Sequence, residues 1–528
     1  MSITIIQSMI LLSIPALFFV TSWTNEKRAH WNLAMSISLL ALLISFVIGI
    51  QGILGIHKIG EGVTWATHSP ISLVMLCLIS FIAFINIRYS RSYMSGNPED
   101  ERRYLRWLLI TLSTVTLVVV SNHMLVFMAA WIAISTSLHQ LLNFYPERQR
   151  AALAAYKKYI FAHIAEAFLL VGIICLYLEH ETWLISDVVR QLSTQSELTV
   201  YGQIAAITIS VAALIKCAQL PLHGWLIQVV EAPTPVSALL HAGIINLGGY
   251  LLIIFAPLIM LSAPAQALLL FVGGITTVLA ALVMMTRASV KVRLAWSTMS
   301  QMGLMLVECA LGLFELALLH LIAHSCYKAY AFLNSGSEVE TRMKKRFAKR
   351  APPSLLDFLV AALLAAVMVT IMAILFKMTT SAFVEHAAHD VIYSPWVLLG
   401  IALMLLIAER KSRTGRATFM TMFSFALVVL VAYTLQKIGA SFILPQMHNQ
   451  VGLAGDLWMV MLFIFFLFGY IALRYYKHHP RVVPIWRSFY AGFYLDESIT
   501  RLSMRLHPTK LPERHKPKQL KIAKGEML

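Results

Sequence analysis

Long apolar runs divide this sequence, and their repetition constrains the fold more than any other feature. Windows of about 20 apolar residues, the length of a helix that crosses a bilayer, recur roughly fifteen times. Only 13% of the residues are charged, whereas soluble proteins carry about 25%. The sequence therefore predicts an all-α polytopic membrane protein. The runs centre near residues 4–23, 31–53, 69–87, 104–119, 122–142, 157–178, 200–230, 234–255, 265–286, 293–311, 315–333, 357–385, 393–408, 417–436 and 455–474.

Basic residues are distributed unevenly between the loops. Of the 42 Lys and Arg residues, 36 lie in one alternate set of loops and in the tail from Arg474, counting Lys157 and Lys158 with the loop before the sixth run. Cytoplasmic loops carry the excess of Lys and Arg. This bias predicts an odd number of helices, with the N-terminus outside and the C-terminus in the cytoplasm. It also explains the net charge of +17 without invoking nucleic acid. The opposite loops hold Lys58, Arg190 and Lys437.

The ends of the chain add two expectations. The first run lacks a basic segment before it and a small-residue cleavage site, so we expect a retained helix rather than a signal peptide. The tail mixes aromatic and basic residues. That composition suits an interfacial helix at anionic lipids and equally a docking surface for a partner.

A lysine inside an apolar run is the first sign of function. Lys216 lies in such a run and is followed by three prolines, Pro221, Pro233 and Pro235. A lysine at bilayer depth costs roughly 2.5–3.5 kcal/mol on insertion scales, so it usually handles ions or protons. Prolines free backbone carbonyls, which is tolerated only where protein or water satisfies them. The segment predicts a broken transmembrane helix that carries a titratable amine.

A second lysine closes a repeat of titratable residues four apart, His320, His324 and Lys328. Steps of four advance only about 40° around a helix, so the three side chains share one face. We interpret this stripe as a proton relay. Two histidines four apart could also bind zinc, but no third ligand is evident. An ordinary pair of hydrogen-bonded core histidines is the other alternative.

The third lysine, Lys377, lies in the twelfth run and ends the apolar stretch that begins at Phe358. A lysine near a helix end that extends its amine to the membrane surface is a strong alternative. The seventh and twelfth runs are both long, carry a lysine and lie five runs apart. A matched pair of interrupted segments indicates an inverted repeat. We therefore predict two inverted five-helix repeats that contain broken helices.

Acidic residues are scarce in the runs. Glu166 follows His163 by three residues, so both lie on one side of the sixth run. A carboxylate near Lys216 would stabilise the protonated amine. Glu308 and Glu315 lie near the opposite membrane face and could serve an exit, although a solvated loop is the simpler interpretation of Glu315. The 5 cysteines are scattered singly, and we expect neither a metal nor a cofactor on this chain.

Three stretches together resemble the antiporter-like subunits of respiratory complex I and Mrp antiporters. They are KCAQLPLHGWL with EAPTPVSALLHAG, RLAWSTMSQMG, and HLIAHSCYKAYAFLNSGS. The resemblance covers roughly residues 105–385. It implies that Lys216 is the central lysine of the broken seventh helix and Lys328 the connecting lysine. It also implies that His241, His320 and His324 link these two lysines. Lys377 would be the terminal lysine of the twelfth helix, and Glu166 an acidic residue beside the first proton channel.

One position departs from that family. Its members carry a glutamate directly after the tryptophan of the fifth helix, whereas Trp131 is followed here by Ile132. The stretch STSLHQLLNFYPERQRAALAAYKK resembles the DabB family, membrane subunits of DAB inorganic-carbon pumps. That resemblance implies a partner similar to DabA, a large zinc protein related to β-carbonic anhydrases, so zinc is expected on the partner.

We therefore expect a proton- or cation-conducting subunit of an energy-coupled transporter of carbon dioxide or bicarbonate, rather than an enzyme. The alternative is an ion-pumping subunit of a complex I-type oxidoreductase or of an Mrp antiporter. A membrane scaffold without conduction would have no use for buried lysines. The expected segments are N-terminal helices in 1–103, a first repeat in 104–255, a second in 265–408, C-terminal helices in 417–474 and a basic cytoplasmic tail in 475–528.

Overall fold

The computed structural model describes residues 3–23, 27–53, 65–67, 69–337, 343, 354–383, 392–411, 424, 427–428, 430–431, 452–476 and 478–506. Within these ranges the chain is built of helices. The described residues form no β-strand beyond two isolated bridges, Ala66 with Ser121 and His123 with Leu184. The predicted all-α class is confirmed.

The described residues in the first half of the chain form twelve α-helices. Three of them, α9, α11 and α12, have eight residues or fewer and follow the interrupted helix α8. The helices are α1 Ile3–Thr21, α2 Lys27–Ile53, α3 Pro70–Tyr93, α4 Pro98–Val120, α5 Met124–Leu142, α6 Gln149–His180, α7 Ile185–Leu192, α8 Val200–Lys216, α9 Gly224–Gln228, α10 Thr234–Ala242, α11 Leu247–Ile254 and α12 Ala256–Met260.

The second half continues with long helices and ends in two shorter ones. They are α13 Ala263–Thr286, α14 Val290–Ala310, α15 Phe314–Leu333, α16 Leu355–Phe383, α17 Ser394–Lys411, α18 Gly452–Tyr475, α19 Val483–Ala491 and α20 Leu495–Leu506.

Every predicted run except 417–436 coincides with one of these helices or with a broken pair of them, and 417–436 lies mostly outside the described residues. Among the described residues, 10 helical segments are long and apolar enough to cross a membrane, and three shorter apolar helices accompany them. Helices at the periphery turn apolar side chains outward, as Phe465 and Phe468 do at 52% and 66% exposure. The protein is a multi-pass membrane protein.

Short polar caps mark where several of these helices begin. The Ser69 hydroxyl accepts a hydrogen bond from the backbone N–H of Ser72 at 3.2 Å, and the Asn97 side chain accepts one from Glu99 N–H at 3.1 Å. A proline follows each cap at the first helical position. Proline loses nothing there because that N–H has no partner inside the helix.

Helices α13 and α14 cross at very close range. An ideal Cβ on Gly303 would lie 2.7 Å from the Gly273 carbonyl oxygen, and one on Gly273 would lie 3.0 Å from the Gly303 carbonyl oxygen. Only glycine lets two helix backbones approach this closely. The crossing places α14, which carries Thr298 and Glu308, beside the broken helix.

The seventh predicted run is broken after Lys216. Helix α8 ends at that residue and α9 begins at Gly224, and Ala218 between them has a φ of 52°, which residues other than glycine rarely adopt. The eighth run is also interrupted, between α10 and α11, where a 3₁₀ turn spans Ile244–Asn246. The apolar pattern of residues 234–255 predicted one uninterrupted helix and did not indicate this second interruption.

The twelfth predicted run behaves differently. Helix α16 is continuous from Leu355 to Phe383, so the described residues show no break at Lys377. Residues 384–391, which follow, lie outside the described part of the chain. The proposed pairing of two broken helices in an inverted repeat therefore stays a prediction.

Part of the predicted tail folds onto the core. In α19 the side chain of Phe489 is 7% exposed, and in α20 Ile499 packs against the main core. The Arg287 guanidinium, between α13 and α14, lies over the rings of Trp296 and Tyr490, with its carbon 5.2 and 5.9 Å from their centroids. Residues 483–506 thus pack on this chain itself.

Candidate functional site

Lys216 occupies the last position of α8, at the edge of the break. Its side chain is buried, and its Nζ lies 4.5 Å from the ring centroid of Trp131 on α5. A cation over an indole face is attracted by the ring quadrupole. The indole therefore stabilises the protonated amine without supplying a counter-charge.

A small cavity adjoins this amine. Its volume is about 20 Å³, which is room for about one water molecule. Helices α5, α6, α8, α9 and α10 enclose it, together with the turn after α10. The walls are apolar apart from two lysines, and they include Lys158, Phe161, Lys216, Trp225 and Leu240.

The second lysine of this cavity corrects the sequence analysis. Lys157 and Lys158 were counted as loop residues, but α6 begins at Gln149 and both side chains are buried, at 0% and 4% exposure. Lys158 donates a hydrogen bond to the Ser135 carbonyl at 3.1 Å. The interpretation failed because the pair lies at the start of the predicted sixth run, where lysines resemble the end of a loop.

Glu166 supplies the negative charge of this region. Its carboxylate interacts electrostatically with both Lys158 and Lys216. One oxygen contacts the Nδ1 atom of His163 at 2.5 Å, while the other is buried without a hydrogen-bond partner among the described residues. We call Lys158, Glu166 and Lys216 the Lys216 cluster. It holds two amines and one carboxylate.

The family glutamate position lies outside this cluster. Ile132 is 37% exposed and does not line the cavity, whereas Trp131 beside it is buried under Lys216. The carboxylate near Lys216 therefore comes from α6 and not from α5. His163 joins it from the periphery, because its side chain is 40% exposed.

Side chains of the protein form hydrogen bonds with the backbone carbonyl and N–H groups that the break leaves without helical partners. The Gln219 amide donates to the Cys217 carbonyl at 2.9 Å, and the Leu220 N–H donates to the Thr276 hydroxyl at 3.1 Å. Pro221 lies in the irregular stretch 217–223, Pro233 directly precedes α10, and Pro235 lies in its first turn. An irregular backbone at membrane depth is tolerated because protein groups bind it in this way.

A second cluster lies on the other side of α10. Lys328 on α15 is fully buried and donates to the Leu294 carbonyl at 3.0 Å. The Thr298 hydroxyl donates to that carbonyl at 3.1 Å, so its oxygen accepts from Nδ1 of His241 at 3.0 Å. With its proton on Nδ1, neutral His241 keeps an unprotonated Nε2. That nitrogen is buried and has no hydrogen-bond partner among the described residues.

His324 completes this second group, which we call the His324 cluster (His241, His324 and Lys328). It is 4% exposed, and neither ring nitrogen has a hydrogen-bond partner among the described residues. His324 interacts electrostatically with Lys328 and His241. A buried imidazole without partners is costly, so function is the better explanation of its presence.

His320 continues the line towards an acidic residue. Its Nδ1 lies 3.0 Å from a carboxylate oxygen of Glu308, and its Nε2 lies 2.7 Å from the side-chain oxygen of Gln301. Both ring nitrogens face acceptors, an arrangement that suits a doubly protonated ring. The His320 and His324 ring centroids are 6.4 Å apart. Glu315, expected in a solvated loop, is buried in the first turn of α15.

The remaining expected residues are placed as follows. Lys377 lies on α16, but its side chain is outside the described residues. Among the residues that the structure describes, no group of three or more His, Cys, Asp and Glu side chains could hold a metal ion. Sequence reasoning missed Lys158 because this lysine lies at the start of the predicted apolar run 157–178 rather than inside it.

Comparisons with known proteins agree with this architecture. Residues 121–351 match the family of NADH:quinone oxidoreductase and Mrp antiporter transmembrane subunits. The chain is 58% identical over 520 residues to the probable inorganic carbon transporter subunit DabB of Hydrogenovibrio crunogenus, covering 98% of each chain. It is 33% identical over 365 residues to the probable subunit DabB2 of Halothiobacillus neapolitanus, covering 66% of each.

Solved structures share the fold. A chain of the Mrp complex from a Dietzia species superposes with a TM-score of 0.60 at 18% identity, covering 97% of this chain and 60% of that one. A chain of respiratory complex I from Thermus thermophilus superposes with a TM-score of 0.51 at 19% identity, covering 92% of this chain and 99% of that one.

Proposed function

Because this chain belongs to the DabB family of inorganic carbon transporter subunits, we propose that it conducts protons across the membrane to drive the accumulation of inorganic carbon. The observation that carries this proposal is a series of titratable side chains inside the helical bundle. It comprises the Lys216 cluster beside the break after α8, the His324 cluster around the interrupted α10–α11 pair, and the His320–Glu308 pair. A chain without conduction would bear the insertion cost of these groups for no purpose.

The Lys216 cluster suits proton storage. One protonated amine balances the Glu166 carboxylate, whereas two protonated amines would leave an unbalanced charge among apolar walls, which is costly. We infer that Lys158 and Lys216 share one proton. The cavity between them has room for about one water molecule, which would carry the proton from one amine to the other.

The His324 cluster suits proton transfer. His241 presents a free Nε2, and His324 presents two ring nitrogens without hydrogen-bond partners among the described residues. A neutral imidazole can accept a proton on one nitrogen and release one from the other. The proton path would continue through His320 to Glu308. Lys377 would belong to a later part of the same path. The roles of all these residues are part of the proposal.

The proposal includes a partner and an orientation. The relatives are named as subunits, so this chain acts with another protein. We infer that the partner is a DabA-like zinc protein that interconverts carbon dioxide and bicarbonate at the cytoplasmic face of the bacterial inner membrane. Zinc would stay on that partner, and the present chain would contribute proton conduction down the gradient and no enzymatic step. Its N-terminus would lie outside and its C-terminus in the cytoplasm.

The test is rescue of bacteria that lack carbonic anhydrase. The chain is expressed with its candidate zinc partner, alone, and with an empty vector. We expect growth at ambient carbon dioxide only when both proteins are present, and loss of carbon uptake when a protonophore dissipates the gradients. Rescue by this chain alone, or uptake that persists with the protonophore, would contradict the proposal.

One observation favours a second candidate. The matched family and the shared fold include subunits of complex I and Mrp antiporters, so the chain could pump ions within such a complex. Purification from native membranes separates the two functions. Co-purification of a soluble zinc protein supports the carbon transporter, whereas a set of redox subunits supports the alternative.

A further inference from the structure

The C-terminal helix α20 reaches back to a lysine that the proposed path does not use. Lys157 on α6 is fully buried, and its amine forms an ion pair with Asp496. The same amine donates to the Thr500 hydroxyl at 2.7 Å. Both partners lie on α20, one turn apart. A buried ammonium thus depends on a helix that is more than 300 residues away in the sequence.

Asp496 also contacts the short helix after the break. Its second carboxylate oxygen accepts a hydrogen bond from the Gln228 amide at 2.7 Å. An ideal Cβ on Gly224 would lie 1.4 Å from the first oxygen, so the approach requires glycine at that position. The Asp496 side chain is 22% exposed. It therefore lies between α6, α9 and the solvent.

This contact adjoins the Lys216 cluster. Lys157 precedes Lys158, and Lys158 lines the same cavity as Lys216. With Asp496 in place, the region holds three amines and two carboxylates. Without it, Lys157 would be an uncompensated buried charge one residue before Lys158 on α6. Removing one partner of a buried ion pair is strongly unfavourable, so this part of α6 would have to rearrange.

We propose that Asp496 is a positioning residue for the ion path. It neutralises Lys157 and holds α20 against α9, and the chain conducts in this docked form. The inference rests on the proposed function, because it assigns a task to the helix that binds Lys157, the residue before Lys158 of the Lys216 cluster. The C-terminal helix is then a working part of the channel rather than an anchor to lipid or a plug.

Uptake of labelled inorganic carbon tests the electrostatic part, with both proteins expressed and their amounts in the membrane compared. Asp496→Asn keeps the side-chain shape but leaves Lys157 unpaired, so uptake should fall by about tenfold, since unpairing a buried charge is strongly unfavourable. Lys157→Met should retain uptake, because the Asp496 carboxylate that it leaves is partly exposed to solvent and still accepts a hydrogen bond from Gln228. The double variant should recover uptake to within about twofold of the unmodified protein if the sites couple through charge.

The matched control is Glu497→Gln, which removes the neighbouring exposed carboxylate of the same helix and should leave uptake unchanged. Two results would overturn the proposal. One is unchanged or increased uptake in Asp496→Asn, the outcome expected of a plug. The other is a double variant as defective as Asp496→Asn, because a purely structural anchor is not rescued by removing Lys157.

A crosslink measures docking independently of uptake. The Gln228 amide and the Thr500 hydroxyl are 3.4 Å apart, so cysteines at these two positions (Gln228→Cys with Thr500→Cys) should be joined by a short bifunctional thiol reagent, detected as a linked peptide by mass spectrometry. Thr500→Cys alone controls for the native cysteines. Adding Asp496→Asn should lower the yield by about tenfold, and an unchanged yield would overturn the proposal. A crosslink that depends on Asp496 in a protein without carbon uptake would instead refute the proposed function and leave the docking in place.

Discussion

Two buried lysines share one carboxylate at the centre of this protein. Lys158 and Lys216 line one cavity, and Glu166 interacts with both. Trp131 covers the Lys216 amine, and the Ser135 carbonyl accepts a hydrogen bond from Lys158. The Glu166 carboxylate therefore balances the charge of one protonated amine. Among the described residues, a second protonated amine would be stabilised only by the Trp131 ring and the Ser135 carbonyl. This imbalance is the physical basis for moving a proton between the two amines.

We predict that Lys158→Met and Lys216→Ala each abolish carbon uptake while the protein still inserts, because removal of a buried charge lowers the cost of insertion. The double variant should be no worse than either single one, since both lysines serve the same step. Uptake and the amount of protein in the membrane are measured together. Arg150→Met is the control, because Arg150 lies on the same helix but is exposed. Full carbon-dependent growth of the Lys216 variant would refute the role.

His324→Leu should reduce uptake strongly without loss of assembly with the partner. Leucine fills a similar volume but cannot accept a proton, and the imidazole it replaces has no hydrogen-bond partner to lose among the described residues. His139→Leu is the comparison. His139 lies in the last turn of α5, outside the His324 cluster, and contacts the Ala155 carbonyl at 3.2 Å, so it should matter less. Unchanged uptake in both variants would mean that the stripe is ordinary packing.

At the scale of elements, the break after α8 is supported by the crossing of α13 and α14. Thr276 on α13 binds the Leu220 N–H, and an ideal Cβ on Gly303 of α14 would lie 2.8 Å from the Gln219 side-chain oxygen. The glycine contact brings both helices close enough to satisfy the irregular backbone. The break is therefore held by its neighbours as well as produced by its own prolines.

Gly303→Ala should separate α14 from α13 and from Gln219. The added methyl group would meet backbone and side-chain oxygens at less than 3.0 Å, and overpacking of this kind costs typically about 1–3 kcal/mol. We expect a lower unfolding temperature in detergent and reduced uptake. Gly400→Ala is the matched control, because the nearest atom to its ideal Cβ is Val369 Cγ2 at 3.9 Å. Equal unfolding temperatures for the two variants would contradict this account of the crossing.

At the scale of the whole molecule, the uneven distribution of basic residues predicts how the bundle sits in the membrane. A green fluorescent protein fused after Leu528 should fluoresce, because it folds in the cytoplasm. Alkaline phosphatase at the same position should be inactive there. The reverse pattern, an active phosphatase and a dark fluorescent protein, would show that the C-terminus lies outside.

Some features of this protein follow from the sequence by itself. The apolar runs specify the membrane helices, because a bilayer of fixed thickness demands about 20 apolar residues for each crossing. Lys216 and Lys328 stand out because a charge in such a run is costly wherever it lies. The prolines after Lys216 predict a broken helix, because each proline lacks the N–H that a helix interior requires. Each of these signals depends on neighbouring residues in the chain.

Only the tertiary structure decided how the charges are paired. Lys157 and Lys158 resemble loop residues until α6 packs them against α5, α9 and α20. Glu166 rather than position 132 supplies the carboxylate near Lys216, and Asp496 meets Lys157 from the far end of the chain. The energy of a buried charge depends on which groups surround it in space. Those groups come from separate helices, so no local pattern in the sequence could identify them.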